Sequence, residues 1–432
     1  MTIDRRTFVA AAGALAAAPA LAQRPHAFPR GFLWGAATAG EQVEGNNVAS
    51  DSWVIENVRP TVFAEPSGDG VNSFGLWATD LDLVKAMGLN TYRFSLEWAR
   101  IQPEPGQWSI AMLDHYKAII DGCRARGLVP MVTFNHYTAP RWFAAAGGWT
   151  NDRAPELFAR FCDRAARHMA AGIGYATTLN EPNIMRLLGL VLPPAVFAAQ
   201  RAMLAAAATA TGSAKFAVAN AINPEDLPAM TRNMLIGHRR GRDAIKAVRP
   251  NLPVGVSLAM FDDQAVGPGS KRDAMRAELY GDWLDAVRHD DFIGVQNYER
   301  MRWDASGPVP PPADAVRNMM GGEVYAPSLA GAVRHAHAAT GLPVMVTEHG
   351  VNTPDDTIRA RFIPAALREL KVAMDEGVPV KGYVHWSLLD NYEWVAGFKG
   401  RLGLVAVDRT DFRRTPKPSA GVLGAIARRN AL

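Results

Sequence analysis

Eight short apolar runs recur along the chain, and stretches with helical periodicity lie between them. Each run has the length of a β-strand, and the intervening stretches carry apolar residues at the spacing of one helix face. The strand candidates are residues 31–38, 91–98, 129–136, 175–182, 253–260, 291–298, 343–350 and 382–390. Strands that alternate with helices in this way form a parallel sheet.

Eight such repeats predict an α/β fold, a single (β/α)8 TIM barrel. The Ala-rich segment 184–212 is expected to form a loop and one helix on the barrel. No sharp linker divides residues 23–432, and barrel folds of this length occur as one domain. The predicted helices cover residues 80–88, 112–126, 155–171, 234–248, 328–339 and 358–376.

Residues 1–22 have the pattern of an export signal. The pair Arg5-Arg6 stands before an uncharged, Ala-rich run, and residues 20–22 (ALA) form a small-residue cleavage site. Paired arginines ahead of a mild apolar run resemble a twin-arginine signal. The run is shorter than the ~20 residues that a helix needs to span a bilayer, so no membrane anchor is expected. The prediction is a mature chain of residues 23–432 in the periplasm or outside the cell.

The charge distribution argues against a nucleic-acid partner. The net charge is +4, and the lysines and arginines are scattered, with no run of five or more basic residues. A surface that binds nucleic acid would need a clustered basic patch. We therefore predict no nucleic-acid partner.

Neither the cysteines nor the histidines have the spacing of a metal site. The two cysteines, Cys123 and Cys162, belong to no CxxC or Cys/His motif. The pair His335 and His337 falls inside a predicted helix, where residues two apart do not share a face. No metal and no cofactor is predicted. The cysteines are either buried thiols or one disulfide, and the sequence leaves both open.

Polar side chains gather at the predicted carboxyl ends of the strands, where a barrel forms its binding site. Glu181 and Glu348 end the fourth and seventh strands and are expected to face each other across the barrel mouth. Indole, amide and imidazole groups around them suit a pyranose, because aromatic faces stack on sugar C–H groups and polar groups hydrogen-bond hydroxyls. The strand-end residues are Arg93, His136, Asn180, Glu181, Tyr298, Glu348 and several from Trp386 to Glu393.

An ordered set of motifs resembles a known family. FLWGAATAGEQVEG, YRFSLEWARIQP, TLNEPN, VTEHG and GYVHWSLLDNYEW occur in order, followed by RLGLVAVD and RTPKPSA. Together they extend from about Phe28 to Ala420. In this respect the chain resembles the family 1 glycoside hydrolases, the β-glucosidase family.

The resemblance implies a role for each matching position. Glu181 would be the general acid/base and Glu348 the nucleophile of a retaining, double-displacement β-glycosidase. The ligand would be a small-molecule β-glycoside or oligosaccharide. Asn180 would hold the sugar 2-hydroxyl. The remaining hydroxyls would be held by Gln42, His136, Glu393 and Trp394, over a platform formed by Trp386, and the nucleophile would be contacted by Arg93 and Tyr298.

The two glutamates need opposite surroundings for these roles. Arg93 and the Tyr298 hydroxyl are expected to stabilise a charged Glu348 and to keep its pKa low. Glu181 needs a raised pKa, so that it holds a proton at the working pH.

Several positions depart from the family pattern without removing a catalytic group. They are Glu41 and Leu402, which replace aromatic residues, Tyr137, which replaces Trp, and Gln296 and His349, which replace Asn. We expect terminal β-glucosyl residues as substrate, with β-galactosyl and β-fucosyl residues as further candidates. Glu393 would repel a 6-phosphate, which favours neutral sugars. The apolar stretch IMRLLGLVLPP after Asn183 either contacts a hydrophobic leaving group or packs on the barrel.

Two other functions fit a similar set of residues. A non-catalytic sugar-binding barrel would keep the indoles and amides but typically lose one glutamate. A transglycosylase would use the same residues, with an alcohol or sugar in place of water. The sequence does not separate the transglycosylase from a hydrolase.

Overall fold

Eight parallel strands close a barrel in the computed structural model, which describes residues 27–432. The strands follow chain order around the ring, and the first strand pairs with both the second and the eighth. All eight predicted strands and the (β/α)8 TIM-barrel fold are confirmed. The predicted export signal, residues 1–22, lies outside the described residues. The barrel strands are Leu33–Ala37, Thr91–Ser95, Val129–Asn135, Tyr175–Asn180, Val254–Ala259, Phe292–Asn297, Val344–His349 and Val380–Trp386.

Helices cover the outside of the barrel, and the six predicted ones are confirmed with shifted ends. Four α-helices have seven residues or fewer: Gly40–Val43, Asp51–Asn57, Trp98–Ile101 and Arg141–Ala145. The long helices are Ser73–Ala86, Ile110–Ala125, Ala154–Met169, Ile184–Val191, Pro194–Thr211, Leu227–Val248, Arg272–Ala286, Ser328–Thr340, Asp356–Asp375 and Pro418–Arg429.

Two parts of the helical prediction were wrong. The segment 184–212 contains two helices instead of one, because Pro193 lacks the N–H that would continue the first helix and Pro194 begins the second. The helices Pro418–Arg429 and Arg272–Ala286 were not predicted. In Arg272–Ala286, the buried residues Leu279 and Trp283 do have helical spacing, but Gly281 between them weakens the pattern.

Short strands extend the rim of the barrel beyond the strand ends. The strand Asp262–Ala265 follows the fifth barrel strand and pairs with Arg300–Trp303, which follows the sixth and also pairs with Pro308–Val309. A second small sheet joins Val405–Val407 to Arg414–Pro416 after the eighth barrel strand. All of these segments follow carboxyl ends of barrel strands, so they surround the mouth where a binding site is expected.

The core has two layers. Inside the barrel, Leu33, Met131, Phe292 and Met345 belong to one apolar cluster. A larger cluster lies between the strands and the helices. Because both faces of the strands are covered, nearly every strand residue is buried, as parallel strands require. This double packing holds the strand ends rigidly.

The two cysteines are free, buried thiols. Burial raises the pKa of Cys123 to about 12 and also raises that of Cys162, so both remain protonated at neutral pH. Of the two alternatives that the sequence leaves open, the structure therefore has unpaired cysteines that act as core residues.

No helix within residues 27–432 is both long enough and apolar enough to cross a membrane. In the same range, His, Cys, Asp and Glu side chains form no group of three that could hold a metal ion. His335 and His337 lie in the helix Ser328–Thr340, and Nδ1 of His337 is 2.8 Å from the carbonyl oxygen of Leu342.

Gly294 tests how tightly the fifth and sixth barrel strands pack. A Cβ atom at this position would lie 2.7 Å from Oγ of Ser257 and 2.9 Å from the carbonyl oxygen of Val256. We expect Gly294→Ala to lower the free energy of unfolding by about 1–3 kcal/mol, because the backbone there has no room to move. Urea unfolding of the purified protein measures the change.

The matched control is Gly281→Ala, in the helix Arg272–Ala286. A Cβ atom there meets nothing within 4 Å. Alanine restricts the unfolded chain and favours the helix, so this variant should gain about 0.5–1 kcal/mol. Equal effects of the two substitutions would contradict the account of barrel packing.

Candidate active site

Glu348 lies at the end of the seventh barrel strand and accepts three hydrogen bonds. Nη1 of Arg93 donates to its Oε1 at 2.6 Å, and Nε2 of Gln296 donates to the same oxygen at 2.9 Å. The hydroxyl of Tyr298 donates to Oε2 at 2.7 Å. All three groups are donors, so they stabilise the ionised carboxylate.

The expectation of a low pKa for Glu348 was wrong. Burial raises the pKa of Glu348 above its ordinary value, and the donors Arg93, Tyr298 and Gln296 oppose that rise. The carboxyl is almost completely buried, and removal from water costs a charged carboxylate more than the donors return. The donors therefore limit the pKa of Glu348 without bringing it below the ordinary value.

Glu181 directly follows the fourth barrel strand and has different neighbours. Its backbone lies in the left-handed region with φ 41°, and its N–H donates to the carbonyl oxygen of Ser257 at 2.8 Å. Its Oε2 accepts a hydrogen bond from the Tyr137 hydroxyl. Burial and the charge of Glu348 together raise the pKa of Glu181 to about 8, although Tyr137 and Arg93 oppose the rise. Glu181 therefore holds a proton at neutral pH.

Asn180 connects the surroundings of the two glutamates. Its Oδ1 accepts from Nη2 of Arg93 at 2.6 Å and from Nε2 of Gln296 at 2.8 Å. Its Nδ2 lies 3.3 Å from Nε2 of His136. With both donors on Oδ1, the amide orientation is determined, and Nδ2 is the atom left to donate.

His136 is a neutral imidazole stacked between indoles. Burial and the charge of Arg93 lower its pKa well below the ordinary value. The ring is 5.6 Å from that of Trp386 and 6.4 Å from that of Trp394, with interplanar angles of 16° and 13°. With Asn180 donating to Nε2, the network assigns the ring proton to Nδ1. His136 can therefore donate a hydrogen bond from that atom.

Gln42 and Glu393 complete the polar wall beside these rings. Nε2 of Gln42 donates to the carbonyl oxygen of Tyr392 at 2.9 Å and lies 3.4 Å from Oδ1 of Asn391. Burial raises the pKa of Glu393 to about 8, and the charge of Glu348 adds to the rise. Glu393 thus holds a proton at neutral pH and can both donate and accept hydrogen bonds.

Several buried polar atoms of this group have no hydrogen-bond partner among residues 27–432. Because buried polar groups are normally paired, such atoms in one group of side chains indicate a ligand rich in donors and acceptors. Both kinds of group are present, which matches hydroxyls better than an ion of one sign. The atoms are Oε1 of Gln42, Nδ1 of His136, Oε1 of Gln296, Nδ2 of Asn391 and Oε1 of Glu393.

The structure brings all ten residues predicted from the sequence into one site. Sequence reasoning noted Tyr137 and Gln296 only as departures from a pattern, although each hydrogen-bonds one of the two glutamates. Asn391 was missed as an individual residue. Its position between Trp386 and Glu393, both predicted site residues, could have indicated that Asn391 also belongs to the site. The ten are Gln42, Arg93, His136, Asn180, Glu181, Tyr298, Glu348, Trp386, Glu393 and Trp394.

A group of buried carboxyls lies behind Gln42. Nδ2 of Asn47 donates at 2.8 Å to Oε2 of Glu41 and, at the same distance, to Oε2 of Glu97. Burial raises the pKa of both carboxyls well above the ordinary value, and neighbouring carboxylates add to the rise. Burial likewise raises the pKa of Asp51 to about 7. Burial therefore favours the protonated, neutral form of these carboxyls.

The sequence and the structure are both similar to those of known glycosidases. The profile of Glycosyl hydrolase family 1 matches residues 24–278 and 325–432. The unmatched interval contains the sixth barrel strand, with Gln296 and Tyr298. A solved apo structure of beta-glucosidase 1317 is 40% identical, with a TM-score of 0.89, and the match covers 93% of this chain and 99% of that one.

Two curated proteins extend the comparison. A beta-glucosidase of an Agrobacterium species is 29% identical over 466 residues, which covers 93% of this chain and 95% of that protein. A beta-galactosidase of Pyrococcus woesei is 24% identical over 486 residues, which covers 90% of this chain and 94% of that protein.

The buried carboxyls predict that stability falls as pH rises. Glu41 and Glu97 titrate near 4.5 when exposed, and in the folded chain their pKa is well above that value. The folded state therefore binds more protons than the unfolded chain above pH 4.5, and its stability is lost as pH rises through the raised pKa values. Urea unfolding of the wild type between pH 5 and pH 9 measures this slope.

Glu41→Gln should flatten the slope by up to about 1.4 kcal/mol per pH unit, the value for one proton. Glu104→Gln replaces an exposed carboxylate and should leave the slope unchanged. A wild-type stability that rises from pH 5 to pH 9 would contradict the assignment of protonated carboxyls.

Proposed function

The chain belongs to glycosyl hydrolase family 1, and from this membership we propose that it is a retaining β-glycosidase for terminal β-D-glucosyl residues. As a member it is an O-glycosyl hydrolase, so the non-catalytic sugar-binding alternative is wrong. Retention follows from the family assignment, and the different hydrogen-bond partners of the two buried carboxyls support their separate roles in it. Glu348 accepts three hydrogen bonds from donors, whereas Glu181 has a pKa of about 8.

In the first step, Glu348 attacks the anomeric carbon. The bond from that carbon to the glycosidic oxygen breaks, and Glu181 transfers its proton to this oxygen as the alcohol leaves. The raised pKa of Glu181 supports this role, because the group still holds its proton at neutral pH. The contacts of Arg93, Tyr298 and Gln296 orient the Glu348 carboxylate for the attack.

In the second step, water replaces Glu348 at the anomeric carbon. Glu181, now a carboxylate, takes a proton from the water as the new carbon–oxygen bond forms and the bond to Glu348 breaks. The charge of Glu348 raises the pKa of Glu181 in the free enzyme. The covalent bond removes this charge, so the pKa of Glu181 falls when a base is needed. Two displacements at one carbon give net retention.

The unpaired polar atoms support a neutral hexose as the bound sugar. Gln42, His136 and Glu393 provide donors and acceptors beside the Trp386 ring, a combination that suits hydroxyls around a pyranose. β-Galactosyl and β-fucosyl residues are further candidates, in keeping with the similarity to the Pyrococcus beta-galactosidase.

The helix Ile184–Val191 is the candidate contact for the leaving group. It begins three residues after Glu181 and is apolar along most of its length. Met185 and Leu187 are buried, so these two side chains serve packing, whereas Val191 is 51% exposed. We propose that this exposed end favours alkyl or aryl leaving groups over a second sugar.

The test combines a substrate panel with variants of the two glutamates. Wild-type protein should hydrolyse nitrophenyl β-glucoside with retention, and rates on the galactoside and fucoside rank the sugars. Glu348→Ala should lower kcat by roughly 10⁴-fold or more, the scale of loss when a covalent nucleophile is removed. Alcohol acceptors added to the same assay separate hydrolysis from glycosyl transfer.

Azide distinguishes the roles of the two glutamates. With activated substrates, azide should restore turnover of both variants, giving the α-glycosyl azide with Glu348→Ala and the β-glycosyl azide with Glu181→Ala. Glu376→Ala removes an exposed, ion-paired carboxylate and serves as the control with unchanged rate. The mechanism fails if either glutamate variant keeps wild-type activity.

We further propose that the protein is exported after folding, on the basis of the twin-arginine pattern at Arg5-Arg6. Conservative replacement by lysine at both positions should retain the activity inside the cell, whereas the wild type should deliver it to the periplasm or medium. Mass spectrometry of the exported protein should find Gln23 at its amino terminus. Equal export of both forms would refute the assignment of the signal.

A further inference from the structure

Tyr137 stands between the third barrel strand and the site in an unusual conformation. It directly follows His136, and its φ of 64° lies in the left-handed region, which is strained for a residue with a bulky side chain. The ring makes edge contacts with Trp394 at 5.4 Å and with His136 at 5.0 Å. This backbone turns the hydroxyl toward Glu181, where it donates to Oε2.

We propose that Tyr137 is a positioning residue for Glu181, whose hydroxyl occupies Oε2 and leaves Oε1 to exchange the proton with the leaving group and with water. The inference rests on the proposed acid/base role of Glu181. No hydrogen bond from the described residues reaches Oε1 of Glu181, whereas Oε2 has its donor. A carboxyl held in this way carries its transferable proton on one defined oxygen.

The same contact acts on the protonation of Glu181. The Tyr137 hydroxyl can donate to the carboxylate, so it favours the ionised form and lowers the pKa of Glu181. The other charged or titratable groups that act on Glu181 are Glu348, which raises its pKa, and Arg93, which lowers it. The Tyr298 hydroxyl faces both glutamates and remains protonated, since burial raises its pKa well above the ordinary value.

A purely structural role for Tyr137 makes a different prediction. The ring contacts with Trp394 and His136 need no hydroxyl, so phenylalanine would preserve them. Tyr137→Phe removes the hydrogen bond to Glu181 and the contact between the hydroxyl and the Asn180 side chain. The hydroxyl can therefore be tested separately from the ring.

Tyr137→Phe should move two limbs of the pH profile in the same direction. Glycoside cleavage needs protonated Glu181, and its kcat/KM falls at high pH. Breakdown of the glycosyl-enzyme needs ionised Glu181, and its rate falls at low pH. Loss of a donor to the carboxylate raises the pKa of Glu181, so both limbs should move up by about one pH unit.

The second limb is measured as kcat on dinitrophenyl β-glucoside, whose leaving group needs no acid. At a pH below this limb, kcat of Tyr137→Phe should be about tenfold lower than wild type, because one pH unit changes the ionised fraction tenfold. Azide reacts without a base, so added azide should remove this difference.

Tyr280→Phe is the matched control. Tyr280 is also buried and donates to a buried carboxylate, Oδ2 of Asp263 at 3.1 Å, away from the site. This variant should show the wild-type pH dependence for both glycoside cleavage and breakdown of the glycosyl-enzyme. Circular dichroism checks that each variant is folded, and Tyr137→Leu, which also lacks the hydroxyl, replaces Tyr137→Phe if that variant does not fold.

The Glu181→Ala background separates the two proposals. If the limbs persist in Glu181→Ala, the acid/base role of Glu181 fails. If they disappear in Glu181→Ala while Tyr137→Phe retains the wild-type profile and shows no response to azide, only the role of Tyr137 fails. A further effect of Tyr137→Phe in the Glu181→Ala background would show a structural role independent of Glu181 and would also overturn the proposal.

Discussion

The buried ion pair between Arg93 and Glu348 is the interaction on which the site depends. Neither group has significant contact with solvent, and their atoms approach to 2.6 Å across the barrel interior. A buried pair adds little net stability, but removal of one partner leaves an uncompensated charge and costs about 3–5 kcal/mol. The second and seventh strands are separated by the first and eighth in the ring, and closure of the sheet lets their side chains meet across the barrel interior. Arg93 also holds Asn180, so the same guanidinium positions the residue before Glu181.

The fold was predictable because its signals are local and repeated. A strand that is covered on both faces has a continuous apolar run in its sequence, and the eight such runs in this chain correspond to the eight barrel strands. The site residues were predictable for a related reason, since Asn180 and Glu348 occupy strand ends, Arg93 lies within the second strand, and all three match a motif. The helix Arg272–Ala286 was missed because a single glycine interrupts its pattern, although the strands on either side had already required a connection there.

The electrostatics of the site could not be read from the sequence. The pKa of Glu348 depends on how completely the carboxyl is removed from water, a property of the assembled barrel that no motif records. The contact between Tyr137 and Glu181 depends on left-handed backbone at both residues. Local propensity predicts this conformation for glycine and asparagine, not for tyrosine or glutamate. Trp394 also has positive φ, so the proposed acid/base and two residues near it share this conformation, and the surrounding packing holds the strain.

The sixth barrel strand supplies part of the site from an interval that the family match does not cover. The family profile does not match residues 279–324, yet this interval supplies two of the three donors to Glu348. Gln296 has one methylene more than the asparagine usual at this position, and its amide reaches both Glu348 and Asn180. Glu348 thus has donors at defined points in space, and a side chain that is longer by one methylene still reaches it from this strand.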